Sequence, residues 1–477
     1  MADGARILFV LRKIDYEPQG IMQLAAVLKG AGHKVELTAA SHEDPVRAAR
    51  RFRPDILAYS VFTGSQREYL SLNARLKEAT GALSVFGGPH PTFFPEIIEE
   101  DGVDVVCIGE GEGPILDLAN ALASGAPFHE IPNLWVKQDG QIHRNPVRSL
   151  ITDLDTLPLP DRSLVYDKDR FTRESGLKHF VASRGCPYLC TFCFNQAMTE
   201  IYGSPWRRVR RRSVEHVLEE IDQVRRCYPL SFVVFLDDLF IVPRDWLEVF
   251  AREYPRRIGL PFFCNVRANL VDKDLVRLLK SAGCVSVGMG IETGDDRLRN
   301  IVLKRNLSRE QLIQAADLIH DAGIALITTN MLGLPTGTLE DDFETLELNI
   351  ACRAQYANAF LYQPYPRTEL GEFAREAGLL AKDVNEISTS AWDRSILRFP
   401  SPRDQRMTEN LVKLFALAVA FPRLRSWLRY LVRAPRNPIY WLAYKLWKGY
   451  AIKRWIHPYR SSPREFLYTA FRFMQFD

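Results

Sequence analysis

Ser183-Arg184-Gly185-Cys186-Pro187-Tyr188-Leu189-Cys190-Thr191-Phe192-Cys193 puts three cysteines within eight residues. The stretch follows an apolar, strand-like run, so three thiolates can wrap one side of an iron–sulfur cube. A four-cysteine zinc ribbon would need a second close pair, and Cys107, Cys227, Cys264, Cys284 and Cys352 are scattered singly. Supplying only three ligands leaves one iron open to bind something else. The first residues run straight into Ile7–Leu11 without a signal-peptide pattern, so the expected location is the cytoplasm, where cysteines stay reduced and clusters of them point to metal.

Downstream of this stretch, short apolar runs alternate with helical periodicity. Strands are expected at 179–184, 231–237, 262–267, 285–291, 325–332 and 358–363. Between them, Val214, Val217, Leu218 and Ile221, and later Leu312, Ala315, Ala316 and Ile319, each mark one helix face. Six such units predict a closed or partly closed parallel (β/α)6 barrel whose chemistry sits at the strand C-terminal ends. Those ends carry Asp237-Asp238, then Arg267, then Glu292 within Gly290-Ile291-Glu292-Thr293-Gly294, then Gly333-Leu334-Pro335. A carboxylate such as Asp237 can accept charge-assisted hydrogen bonds from an ammonium. Asp238 could equally cap the next helix. The run Arg207-Arg208-Val209-Arg210-Arg211-Arg212 precedes Ser213, a good N-cap, and reads mainly as a solvated face. Its surroundings are net acidic, so nucleic acid is not an expected partner.

Upstream, the first 130 residues predict strands at Ile7–Leu11, Val35–Thr38, Ile56–Ser60, Leu83–Phe86 and Val103–Ile108, with Ile21, Leu24, Ala25 and Leu28 on one helix face. Five strand–helix units imply a doubly wound, mostly parallel Rossmann-like sheet, with ligands beyond the strand carboxyl ends. Asp139-Gly140 reads as a hairpin turn and Leu157-Pro158-Leu159-Pro160-Asp161 as a stiff connector. The expected division is a doubly wound domain over 1–130, a linker over 131–174, a barrel over 175–375 and a helical region over 376–477.

The spacing CxxxCxxC, with an aromatic residue before the third cysteine, strongly resembles the radical S-adenosylmethionine superfamily. That resemblance implies a [4Fe–4S] cluster on Cys186, Cys190 and Cys193, whose open iron chelates S-adenosylmethionine and reduces it to a 5′-deoxyadenosyl radical. It implies that Asp237 and Asp238 hold the methionyl amine, that Arg267 and Glu292 lie near ribose and carboxylate, and that Phe192, Gly333 and Pro335 lie near adenine. It also implies a low-potential electron donor such as a flavodoxin or ferredoxin. In the first domain, Asp15, Glu17 and Gly20, then Ser60 and Thr63, then Gly87, Gly88 and His90, then Gly109 and Glu110 stand after successive strands. Together these are similar to the cobalamin-binding domain, in which Ser60 or Thr63 would bond a dimethylbenzimidazole tail and the two-glycine turn would let backbone approach a bulky ligand. Glu17 occupies the position of the usual axial histidine, so this turn offers cobalt no imidazole. A flavodoxin-like reading fits less well, because Asp15 and Glu17 would repel a phosphate at the first turn. A domain of this type that has lost its cofactor is the other alternative.

The resemblance spans about residues 5–370 and includes the Leu-Pro-Leu-Pro-Asp-Arg connector. It implies a methyltransferase that uses methylcobalamin on an unactivated carbon of a small molecule or lipid. Two further readings stay open: an oxidative cyclase or rearrangement enzyme with the same cofactors, and a corrinoid carrier. A methylthiotransferase is disfavoured, since the amino-terminal half lacks a three-cysteine set of its own.

Charge is uneven. The whole chain carries +4, but residues 403–477 hold 15 Lys+Arg against 4 Asp+Glu, and 16 of the 52 aromatic residues. Overall, 47% hydrophobic and 25% charged residues exclude a disordered or disulfide-scaffold chain. The longest apolar run, Leu414–Phe421, is too short to span a bilayer. Two readings of the tail follow, with Thr408 capping its first helix: helices that close the barrel floor, or a basic aromatic surface that touches membrane headgroups.

Overall fold

The computed structural model describes residues 4–383, 386–387, 392, 394–461 and 463–475, so the sequence reading of Met1–Asp3 and of the last two residues falls outside the described residues. The chain forms two compact units, 1–174 with 198–206 and 226–228, and 175–197 with 207–225 and 229–477.

The first unit is built on β1 (Arg6–Leu11), β2 (Lys34–Ala39), β3 (Ile56–Ser60), β4 (Leu83–Gly87), β5 (Val105–Cys107), β6 (Leu134–Gln138) and β7 (Gln141–Arg144). Their order is β2-β1-β3-β4-β5-β6-β7. The first five are parallel, and β6 and β7 add antiparallel at one edge. Leu8, Phe9 and Val10 are buried in succession because the sheet is covered on both faces, which is why the strand reads as an unbroken apolar run. Asp139 and Gly140 adopt φ of 52° and 76°, the left-handed pair of a two-residue hairpin turn. Residues 134–144, which the sequence reading assigns to a connector, thus extend the sheet itself. Successive connections leave β1 in opposite directions, first to β2 and then back to β3, so the loops after β1 and β3 flank the switch point where such sheets bind ligands.

The second unit carries β8 (Leu177–Phe180), β9 (Ser183–Arg184), β10 (Arg210–Arg211), β11 (Phe232–Phe235), β12 (Phe262–Val266), β13 (Cys284–Glu292), β14 (Ala325–Leu332) and β15 (Tyr356–Leu361). Six of these form one parallel sheet, β15-β14-β13-β12-β11-β8. β8 and β15 are its two edges among the described residues, so the sheet is the partly closed form of the expected barrel. The first expected strand, 179–184, is shorter: it ends at Phe180, and Ser183-Arg184 pairs instead with Arg210-Arg211.

That pairing corrects the reading of the arginine run as a solvated face. Arg210 and Arg212 are buried, Arg212 against Glu220 at 2.5 Å, and Arg211 stacks on Trp246 at 4.2 Å. Ser213 does cap the following helix, accepting from the His216 N–H at 3.1 Å.

The helix Pro402–Ala420 begins at Ser401, which accepts from the Asp404 N–H, and not at Thr408. Thr408 lies a turn inside and donates to Asp342 at 3.3 Å. Leu411, Phe415 and Ala418 pack on Ala357 and Leu361 of β15 and on Leu346, so this helix is core. No helix among the described residues is long and apolar enough to cross a membrane.

Candidate active site

In the second unit, Gly185 takes φ of 94°, a left-handed turn that glycine accepts readily, and sends the chain into the cysteine loop. The loop is held in three places. Thr191 donates its N–H to the Leu303 carbonyl and its hydroxyl to the Val302 carbonyl, while its own carbonyl accepts from the Leu370 N–H at 2.9 Å. Cys186, Cys190 and Cys193 all line one cavity of about 230 Å³ with Phe192, Asp238 and Arg267. Such a space far exceeds the roughly 30 Å³ one water claims, so it accommodates a group rather than a lone ion.

The sulfurs sit among donors. Arg267 and Arg305 donate toward Cys190 Sγ at 3.8 and 3.9 Å, and the Asn195 amide toward Cys193 Sγ at 3.6 Å. Burial pushes the Cys186 thiol up and the Cys193 thiol to about 12, so thiolates here require positive partners. Two buried guanidiniums supply part of that charge. No three His, Cys, Asp or Glu side chains among the described residues converge to hold a single metal ion. An iron–sulfur cube makes a different demand, because each cysteine then reaches a separate corner. Three thiols around one cavity, with donors aimed at their sulfurs, fit such a cluster.

The carboxylates divide by position. Asp238 lines the cavity and accepts from Asn195 at 2.9 Å; the next helix starts at Arg244, so Asp238 does not cap it. Asp237 points the other way. It is buried, accepts from Ala182 N–H and Ser183 Oγ–H, and ties β11 to the chain before the cysteine loop. Glu292 lines the cavity at a left-handed φ of 69° and faces Arg305 at 3.7 Å. Burial raises all three acids. Arg267 lies 3.7 Å over the Tyr188 ring, which fixes its guanidinium beside the loop. Gly333 and Pro335 are not among the cavity residues. Gly333 donates its N–H to Asp342 and is crowded by Phe399 and Thr408. Arg305 and Asn195 escaped the sequence reading, since neither stands at a strand end or in a spaced motif.

In the first unit the candidate residues occupy the loops after β1, β3, β4 and β5. Gly88, at φ of 91°, lies against Ser60 and Val61 so closely that a Cβ would meet the Ser60 hydroxyl. Thr63 bonds His90 Nδ1 at 3.2 Å, His90 stacks on Phe94 at 4.8 Å, and burial pushes its imidazole down to about 4. Gly109, at φ of 80°, packs on Tyr202, whose hydroxyl accepts from the Glu110 N–H. Asp15 pairs with Lys13 at 2.7 Å, and Gly20 is exposed in the first turn of a helix. Glu17 is only 3% exposed: its carboxylate accepts from Arg162 at 3.0 Å and from the Tyr166 hydroxyl. Two aromatic side chains in these loops, Tyr16 and Phe62, stand half exposed at the switch point. Turn glycines and exposed rings make a surface suited to a large ligand held by shape and close backbone approach.

Residues 5–119 match the B12 binding domain and residues 180–348 the radical SAM superfamily, together more than half the chain. The chain belongs to the cobalamin-binding radical S-adenosylmethionine enzymes. It is 28% identical over 374 residues to an uncharacterized methyltransferase of Pyrococcus horikoshii, covering 76% of this chain and 79% of that one. It is 26% identical over 384 residues to the anaerobic magnesium-protoporphyrin IX monomethyl ester cyclase of Cereibacter sphaeroides, spanning 76% of this chain but only 61% of the cyclase. Its fold is similar to that of OxsB, a cobalamin-dependent S-adenosylmethionine radical enzyme solved with aqua-cobalamin and S-adenosylmethionine, with a TM-score of 0.70 at 17% identity over 99% of this chain and 76% of that one.

Proposed function

We propose that this enzyme methylates an unactivated carbon of a small-molecule or lipid substrate, with one [4Fe–4S] cluster in the second unit and cobalamin in the first. The observation that carries this reading is the three-thiol cavity with buried donors, in a chain that also matches the B12 binding domain over residues 5–119. When bound, the cofactors supply the electron, the hydrogen-abstracting radical and the methyl group, chemistry no side chain offers. The protein's part is to hold and orient. Cys186, Cys190 and Cys193 are the cluster ligands; Arg267, Arg305 and Asn195 soften the charge on their sulfurs. Asp238, open to solvent, and the buried Glu292 offer carboxylates to a cationic group in the cavity. Phe192 supplies an apolar wall.

On the cobalamin side, Glu17 is spoken for by Arg162 and Tyr166, and His90 is neutral and bonded to Thr63. The turn after β1 therefore offers no imidazole to a bound cobalamin, an arrangement that would favour reduction of its metal. The Pyrococcus horikoshii relative, 79% of whose length is covered, carries the name methyltransferase, which supports methyl transfer over ring closure. Electrons would come from a small low-potential carrier such as a flavodoxin or ferredoxin.

Anaerobic reconstitution with iron, sulfide and cobalamin, followed by product analysis, tests the reading. Comparable yields of S-adenosylhomocysteine and 5′-deoxyadenosine are expected. Deoxyadenosine alone, with a product of unchanged carbon count, would replace methylation with the cyclase-type outcome.

A further inference from the structure

Residues 410–464 contain twelve Lys and Arg and no Asp or Glu. Within this acid-free stretch the helix Pro438–Ala451 is inside out. Ile439, Leu442, Leu446 and Tyr450 recur at i, i+3, i+7 and i+11, one face of the helix, and are 70%, 45%, 64% and 51% exposed. The opposite face buries Lys445 and Tyr444, at 1% and 5% exposure. A helix that buries a lysine and shows its leucines to solvent lacks the partner its apolar face requires.

The exposed surface continues beyond this helix. Trp427 and Tyr430 of the neighbouring helix Arg425–Leu431 are 64% and 66% exposed, and Leu428 is the residue that helix sinks into the core. The Tyr440 hydroxyl donates to the Leu431 carbonyl and so ties the two helices, while Phe421 packs on Trp447 at 5.2 Å and Trp447 on Tyr450 at 5.4 Å. Arg425 and Arg429 are neutralised by Glu347 and Glu340. Arg423, Arg433 and Arg454 of the same stretch are exposed, and Arg433 lies 5.6 Å over the exposed Tyr430 ring.

We propose that this face lies on the surface of an anionic lipid bilayer, with Trp427, Leu442 and Leu446 entering the headgroup boundary and the arginines meeting lipid phosphates. A second copy of the chain is a poorer occupant, because it would set one uncompensated basic surface against another. No helix among the described residues is both long and apolar enough to span, so the proposed contact is peripheral.

Vesicle flotation of the full-length protein tests this without turnover, so its failure would leave the methylation reading untouched. The protein should float with phosphatidylcholine vesicles that contain phosphatidylglycerol at about 0.05 M salt and release at about 0.5 M, where screening shortens to a few ångströms. The triple change Trp427→Ser, Leu442→Ser and Leu446→Ser should weaken partitioning by at least about tenfold with an unchanged melting temperature, since all three side chains are exposed. Arg423→Gln with Arg454→Gln should weaken it by about tenfold or more and flatten the salt dependence. Wild-type tryptophan fluorescence should shift to the blue on binding, and less so in Trp427→Phe. Absence of flotation, equal flotation with pure phosphatidylcholine, or a solution dimer that the triple change dissolves would each overturn the proposal.

Discussion

The two units use the same device, loops at the carboxyl ends of a parallel sheet, and equip it in opposite ways. In the first unit the polar side chains of those loops are turned inward and satisfied: Glu17 by Arg162 and Tyr166, His90 by Thr63. What faces outward is glycine turn and aromatic ring. In the second, the polar groups face one cavity, and three sulfurs there share it with two arginines, two asparagines and two acids. The difference follows from what each must hold. A macrocycle gains little from point charges and much from shape and close backbone approach. An anionic inorganic cluster needs covalent ligands and compensating donors.

The largest effect to test this contrast is on the cluster side. Changing any one of Cys186, Cys190 and Cys193 to Ala should abolish S-adenosylmethionine cleavage. Changing Cys107 or Cys352, both buried apart from the cavity, should not. Cleavage surviving Cys190→Ala would break the contrast outright.

Next comes the inward lock of the first unit. Glu17→Gln keeps the shape but takes a carboxylate charge away from the buried Arg162, which should cost up to about 3–5 kcal/mol in the urea unfolding of that unit. Glu17→His should be destabilised similarly and still leave cobalt without imidazole. An unchanged urea midpoint would show that the lock contributes nothing.

Acid should act on the two units with opposite sign. His90 is depressed from 6.5 to about 4, so between those values the unfolded chain binds a proton the folded one refuses, and stability falls on acidification by up to about 3 kcal/mol. Asp342 is raised from 3.8 to about 7 by burial, so its contribution is full below 3.8 and is lost as pH rises toward 7, a change of up to about 4 kcal/mol. His90→Gln should therefore flatten the acid-side loss, and Asp342→Asn the neutral-side loss, in urea midpoints taken from pH 4 to pH 7.

Much of this architecture was legible in the sequence. Strand runs such as Ile56–Ser60 and Phe232–Phe235 declare themselves because burial on both faces demands continuous apolar residues. The cysteine loop declares itself because its ligands are close in sequence. What stayed hidden depends on partners far along the chain. Glu17 and Arg162 meet across 145 positions, and Arg305 reaches Cys190 across 115, with no local period to reveal either. The burial of Arg210 and Arg212 was equally unreadable, since six residues of basic composition say nothing of the strand pairing that draws two of them inside. The joining of β6 and β7 to the first sheet is an edge pairing, again a tertiary choice.

The smallest expected effect is on tuning. Asn195→Ala should leave the cluster assembled and lower its midpoint potential by about 40 mV, the one-electron equivalent of roughly 1 kcal/mol for one lost hydrogen bond to sulfur.

The most direct test of the division of labour is one paramagnetic resonance experiment on protein loaded with iron, sulfide and cobalamin, comparing wild type with the Cys186→Ala, Cys190→Ala, Cys193→Ala triple change. The reduced cluster signal should vanish in the triple variant, while the cob(II)alamin signal persists in both and lacks the nitrogen splitting of a bound imidazole. A cluster signal that survives the triple change, or imidazole splitting in the wild type, would contradict the account.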